Sequence, residues 1–241
     1  MYSKSFKKLV DSAFNKSTEF YKNEHNLNKP NPYFVGFGNP NSKILILGKE
    51  KGFDQSNLKQ LQYESIENPN EWKHYLENGI LSNKAKFYDS EHYINVFHPY
   101  LGKMKGGHTW TKYYTVLKNI YPHIEKNENE FLNYAFLCEI NFEPSRLSKI
   151  KAFSNSERIE LLKNDFYKSF NVIICACGDY LKHKQIEDFF DVKFVSDLSN
   201  PSEKLKTFKN DSRLLINTRQ LSMNIKNDYL IRLSEIAKMY L

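Results

Sequence analysis

Two glycines bracket three charged residues in Gly48-Lys49-Glu50-Lys51-Gly52, directly after the aliphatic run Ile44-Leu45-Ile46-Leu47. Glycine lets the chain turn sharply and bring its backbone N–H groups close to a ligand. One carboxylate and two ammonium groups are therefore set where an apolar strand opens into a loop. Three later runs end in a comparable way. Tyr134 to Ile140 leads into Asn141-Phe142-Glu143-Pro144-Ser145, and Val172 to Cys177 leads into Gly178-Asp179. Arg213 to Ile216 opens into Asn217-Thr218-Arg219-Gln220-Leu221-Ser222. The amides of Asn141 and Asn217 can each donate and accept hydrogen bonds. Each loop alone reads at least as well as a solvated turn. In open α/β sheets, however, ligands bind outside the carboxyl ends of the strands, and four such ends recur here.

The elements that must position these loops follow from periodicity. Phe6, Leu9, Val10, Ala13 and Phe14 give residues 3–21 an amphipathic helical stripe. A Pro/Asn/Gly-rich connector over 26–41 leads into the first strand, and its Gly36-Phe37-Gly38 precedes that strand. A dinucleotide fingerprint would follow it. Residues 57–78 are polar and partly helical, with Trp72, Tyr75 and Leu76 inward, and 79–107 is expected as a long, partly irregular excursion. A helix begins near Thr109, a candidate N-cap, and buries Trp110, Tyr113, Tyr114, Leu117 and Ile120. Further helices are expected over 157–170 and 228–241, with a short strand over 192–195. Alternating apolar strands and helices predict an α/β protein, a three-layer α/β/α sandwich with a mostly parallel central sheet. A single domain is expected over 1–241, with 1–28 as an N-terminal helical segment packed on it.

Composition narrows the function classes. The 241 residues are 40% hydrophobic and 15% aromatic, which supports a substantial core and excludes a disordered chain. Thirty-five basic residues against 28 acidic ones give a net charge of +7, which permits a nucleic-acid partner without requiring one. No run is long and apolar enough to span a bilayer, no signal peptide is recognised, and the three cysteines fit a reducing compartment. A cytoplasmic protein with no membrane partner is expected. Cys175 and Cys177 are expected on opposite faces of one strand, as core residues and not a metal pair. His92, His98 and His108 match no zinc spacing. No metal and no other cofactor is expected.

In their order along the chain these motifs resemble the uracil-DNA glycosylase superfamily. The resemblance rests on a Gly-Phe-Gly-Asn-Pro lead-in, then Lys-Ile-Leu-Ile-Leu-Gly and its loop, and the Thr-Trp-x-Lys-Tyr helix start at Thr109 to Tyr113. A strand ending at Asn141, the apolar strand into Gly178 and the late loop with Leu221-Ser222 complete it over residues 33–241. It implies a DNA-repair hydrolase that cleaves the N-glycosidic bond of a modified base flipped from DNA. It makes Glu50 a catalytic candidate as base or cation stabiliser, and Asn141 the amide that reads the base edge. Gly48, Lys49, Lys51, Gly52, Arg219, Leu221 and Ser222 become substrate-binding candidates, Leu221 as an apolar tip entering the duplex. The chain departs from the family where Lys51 stands in place of a proline. It departs again where Asn217 replaces the histidine that donates to the leaving base. Asn217 is carried as the second catalytic candidate, and DNA or a nucleobase-containing ligand as the partner. The alternative is a non-catalytic protein that keeps the crevice to bind a base, a nucleotide or DNA.

Overall fold

The computed structural model describes residues 1–22, 28–52, 57–87, 90–99, 108–125, 130–144, 155–221 and 224–241. Its centre is the aliphatic run. Ile44–Gly48 forms β2, buried at every position, with Leu45 and Leu47 in one core cluster and Ile44 and Ile46 in the other. Such two-faced burial requires cover on both sides of the sheet. Parallel neighbours flank β2: β5 (Ala135–Glu139) on one side and β6 (Val172–Ala176) on the other, with β9 (Leu214–Thr218) parallel to β6.

The helices α1 (Lys4–Lys22), α3 (Asn68–Asn78), α5 (Ser156–Leu162) and α6 (His183–Phe190) cover one face, through Phe6, Leu9, Trp72, Leu161, Leu162, Phe189 and Phe190. The helices α4 (His108–Ile120) and α7 (Asn227–Lys238) cover the other, through Tyr113, Leu117, Tyr229, Leu230 and Leu233. Two helical layers therefore enclose the sheet, as expected. Ahead of α3, α2 (Leu58–Leu61) runs into a π-helical turn, Gln62–Ile66.

The sheet itself corrects the expectation of a mostly parallel one. Among the described residues it has seven strands in the order β1-β5-β2-β6-β9-β8-β7, with β1 at Phe37–Gly38, β7 at Lys193–Asn200 and β8 at Leu205–Lys209. Three pairings are parallel; β1 with β5, β8 with β9 and β7 with β8 are antiparallel, so the sheet is mixed. The cause is loop length. Four residues separate β7 from β8, and four separate β8 from β9, whereas a parallel crossover needs on the order of a dozen.

The lead-in glycines serve this edge: β1 passes so close to β5 that a Cβ at Gly38 would sit 2.4 Å from the Ala135 carbonyl oxygen, and φ there is +96°. Within the expected irregular excursion, β3 (Lys84–Phe87) and β4 (Ser90–Tyr93) form a hairpin. Glu71 anchors it by accepting from the Ser82 and Asn83 backbone N–H groups at 2.8 and 3.0 Å. The helix expected over 157–170 stops at Leu162, because Asn164 turns the chain by accepting from the Phe166 N–H at 3.0 Å. Cys175 and Cys177 correct a further expectation. Residues two apart on a strand share a face, and both thiols are buried in the same core cluster.

Candidate functional site

The four parallel strands end at one edge. In chain order the connection from β2 runs to β5 on one side, and the next runs back past β2 to β6 on the other. That reversal is a topological switch point, where an α/β sheet offers its ligand crevice. Ladder-like hydrogen bonds continue past the strands there: the Ile140 N–H donates to the Gly48 carbonyl at 2.9 Å and the Asn141 N–H to the Lys49 carbonyl at 2.8 Å. Glu50 and Asn141 thus leave the sheet side by side. The Asn141 amide Nδ2 donates to Glu50 Oε2 at 3.4 Å, and its Oδ1 accepts from the Glu143 N–H at 3.3 Å. Lys49 Nζ lies 3.8 Å from Glu50 Oε1 and 5.0 Å from the ring centroid of Tyr180, which follows β6. The side chain of Glu50 is only 4% exposed, so this is a screened ion pair and not a solvated turn.

Beneath it lies a second charged set. Lys51 is 5% exposed, and its ammonium rests 3.5 Å from the centroid of Phe34 and 5.0 Å from that of Phe37. Among the described residues it makes no ion pair and no hydrogen bond. Burial lowers its pKa to about 8, against the opposing pull of Glu64 and Glu139. Glu139, the last residue of β5, packs its carboxylate directly on Gly48: a Cβ there would lie 2.0 Å from Oε2. Glu139 as a residue is partly exposed, but Oε2 is sealed and has no hydrogen-bond partner. Burial pushes its carboxyl up to about 7, with Lys51 and Arg158 opposing and Glu64 and Glu50 adding to the rise. The same carboxylate, after burial itself, raises the Tyr113 hydroxyl of α4 well above its ordinary value.

Arg158 holds the floor of the site. Fully buried, it donates through Nε to the Glu139 carbonyl at 3.1 Å and through Nη1 to the carbonyls of Pro32 and Phe34. Its Nη2 reaches Cys138 Sγ at 2.8 Å, and its guanidinium lies 4.6 Å from the Phe34 centroid. Loop 32–37 and the end of β5 are thereby fixed to each other. That makes the aromatic wall against Lys51 a rigid one.

Comparison with protein-family models, curated proteins and solved structures finds no match.

Of the residues expected from the sequence, Gly48, Lys49, Glu50, Lys51 and Asn141 share the β2/β5 end of the edge. Gly52 follows, exposed, with open space on its Cβ side. Asn217 is a strand residue of β9, 5% exposed, whose Oδ1 faces Cys177 Sγ at 3.7 Å. With β6 between, β9 lies roughly 10 Å from β2. Asn217 thus shares the edge with Glu50 and Asn141 but touches neither. Arg219 is exposed and leans towards the Tyr229 ring, 6.0 Å away. Leu221 is fully buried in the core beneath α7, so it presents no apolar tip. Ser222 lies outside the described residues.

Four contributors were not foreseen. Glu139 carries a signal, as the single charge in Ala135-Phe136-Leu137-Cys138-Glu139-Ile140. Arg158 carries a weaker one, three and four residues before Leu161 and Leu162 on the buried stripe of α5. Glu64 has none, because the π-helical turn shifts the helical register by a residue. Tyr180 looked like an ordinary residue of a turn.

Proposed function

We propose that the carboxyl edge is a nucleobase-handling site of the uracil-DNA glycosylase type, acting on or recognising a modified base in DNA. The observation that carries the reading is the Asn141–Glu50 pair, an amide and a carboxylate leaving adjacent parallel strands at the switch point. An amide that gives one hydrogen to Glu50 keeps its second N–H for a base edge, and its oxygen, already accepting from the Glu143 N–H, has one lone pair left. A carboxylate beside it would stabilise the cationic sugar that forms as the glycosidic bond breaks. Lys49 and Tyr180 bring a cation and an aromatic face to the same place, both suited to a stacked base.

Asn217 favours a second reading, in which the protein binds without cleaving. Its oxygen faces a cysteine thiol, and a neutral amide offers the departing base less than a histidine would. Losing one such donor costs on the order of 10²–10³ in rate.

The deciding experiment follows abasic-site formation on uracil-containing oligonucleotides by the natural protein, Asn217→His and Glu50→Gln. Slow cleavage, raised by Asn217→His and abolished by Glu50→Gln, is the expected pattern. No cleavage by either the natural protein or Asn217→His, with DNA binding that weakens steeply with salt, selects the binding role. No cleavage and no binding ends the nucleic-acid reading.

A further inference from the structure

Lys51 and Glu139 are left unused by the reading above, and as structural residues they are poorly placed. A buried ion pair is tolerable when its members hydrogen-bond each other, and removing charges from water without that compensation is costly. Here Glu139 Oε2 is sealed without a partner, and Lys51 faces aromatic carbon with no ion pair or hydrogen bond among the described residues. The charged and titratable groups acting on the two are Glu64 from the π-helical turn, Glu50 from the loop, Arg158 from α5, Tyr113 from α4 and Cys138 from β5. None of them pairs either group off. Unpaired, desolvated ionisable groups at the strand-end edge of an α/β sheet are candidates for reacting groups.

We propose that Lys51 is an amine nucleophile that forms an imine with an aldehyde-bearing ligand, and that Glu139 is the acid and base that carries the protons. Resting on the functional reading above, the natural ligand is the ring-opened deoxyribose of an abasic site in DNA, which exposes an aldehyde at C1′.

The chemistry balances without any further reactant. Burial lowers the Lys51 ammonium to about 8 and raises the Glu139 carboxyl to about 7, so free amine and carboxylic acid are each accessible near neutral pH. The Lys51 Nζ lone pair adds to the aldehyde carbon, and the carbonyl oxygen takes the Glu139 proton. The carbinolamine nitrogen returns a proton, hydroxide leaves as water, and a C=N bond remains. A desolvated lysine in an apolar pocket is a recognised form of activated amine. Phe34 and Phe37 supply that pocket, and Arg158 keeps it rigid. The 5% of Lys51 still exposed, beside open Gly52, leaves the nitrogen a way out. On DNA the imine also acidifies C2′–H. Glu139 as carboxylate can then take that proton while the C3′–O bond breaks and the 3′ phosphate departs, nicking the strand.

The test is borohydride trapping on an oligonucleotide with a preformed abasic site, which reduces C=N to a stable secondary amine. A covalent protein–DNA band is expected for the natural protein, lost in Lys51→Met and kept in Lys184→Met, which removes an exposed surface lysine of α6. Glu139→Gln should slow its appearance at least tenfold. Thermal melting accompanies each variant. If Lys51 reacts and does not hold the fold, Lys51→Met melts at or above the natural temperature. Lys51→Arg, which retains the charge, must also fail to trap. Free 2-deoxyribose 5-phosphate in parallel separates a DNA ligand from a small aldehyde: mass gain on Lys51 with the sugar phosphate but no DNA band transfers the proposal to small aldehydes. Trapping that survives in Lys51→Met, or no trapping with either probe, overturns it. Base release from uracil DNA without trapping overturns it while leaving the functional reading intact. Trapping without base release does the reverse.

Discussion

Replacing Glu139 by glutamine removes a charge and almost no volume, so its effect on stability reads out the buried carboxylate directly. The folded carboxyl is pushed up to about 7 from an ordinary 4.5, chiefly by burial. A group whose folded pKa is raised binds its proton more tightly in the native state. Its ionisation therefore costs stability as pH rises from the unfolded value through the folded one. Linkage over that window gives a penalty of about 1 kcal/mol at pH 5 and about 3 kcal/mol at pH 8. Glutamine is neutral throughout and carries none of it. Glu139→Gln should thus be slightly more stable than the natural protein at pH 5, by about 1 kcal/mol, and more stable by about 3 kcal/mol at pH 8. For a chain of this length that is a rise in melting temperature of roughly 6–12 °C. Lys51 trims the gain, since it loses a favourable neighbour when the carboxylate goes. Thermal denaturation followed by circular dichroism at pH 5, 6, 7 and 8 measures the difference. A variant destabilised by the same amount at every pH would refute the reasoning, because it would mean that the carboxylate is satisfied in the fold.

Gly48→Ala forces the same carboxylate aside: the new Cβ would meet Glu139 Oε2 at 2.0 Å and Cδ at 2.6 Å. It should cost about 1–3 kcal/mol, and the cost should vanish in a Glu139→Ala background; an undiminished cost in that double-mutant cycle would place the clash elsewhere. Arg158→Met strips hydrogen bonds from the carbonyls of Pro32, Phe34 and Glu139. Urea denaturation should show a loss of at least about 3 kcal/mol, and a loss below about 1 kcal/mol would contradict its role as the floor of the site.

The sequence exposed the centre of the fold and hid its edges, for physical reasons. Ile44–Leu47 and Val172–Ala176 are apolar on both faces because helices cover both, and uniform burial leaves an unmistakable run. The edge strand β7 has only its inner positions partly covered, so Lys193-Phe194-Val195-Ser196-Asp197-Leu198 looks like a loop that follows a short strand. β8 reads as Leu-Lys-Thr-Phe-Lys, with Leu205, Thr207 and Phe208 buried, a pattern of no clean period. The two short connections around it would have betrayed it, since four residues allow only a hairpin. β1 was hidden more completely. Two of the glycines around it serve close approach to β5, and a two-residue strand has no periodicity to detect.

The candidate site was legible where backbone topology alone determines position. Glu50 and Asn141 meet because β2 and β5 are parallel neighbours whose ladder runs on past both strand ends. Asn217 does not join them, since its strand lies one place further along the sheet. Side-chain depth was not legible. Nothing in Lys49-Glu50-Lys51 says that Lys49 turns to Tyr180 while Lys51 turns inward to Phe34. That division is imposed by loop 32–37, which Arg158 ties down from far along the chain.

The charges of this edge also bear on the acid–base chemistry proposed for it. Glu50, Glu64 and Glu139 stand against Lys49, Lys51 and Arg158, so the site is neutral when all six are ionised. A neutral site gives an anionic ligand no net attraction, and Asn217 adds only a dipole. One proton added to Glu139 changes the sum to +1. Because burial has raised that carboxyl to about 7, the proton is available near neutral pH, where an ordinary glutamate would long have lost it. Glu139, at the end of β5, and the lowered Lys51 ammonium beside it are thus the groups of this edge that burial has tuned towards neutral pH. A substitution at position 217 alters who hydrogen-bonds the ligand. A substitution at 139 alters whether a proton is there to give.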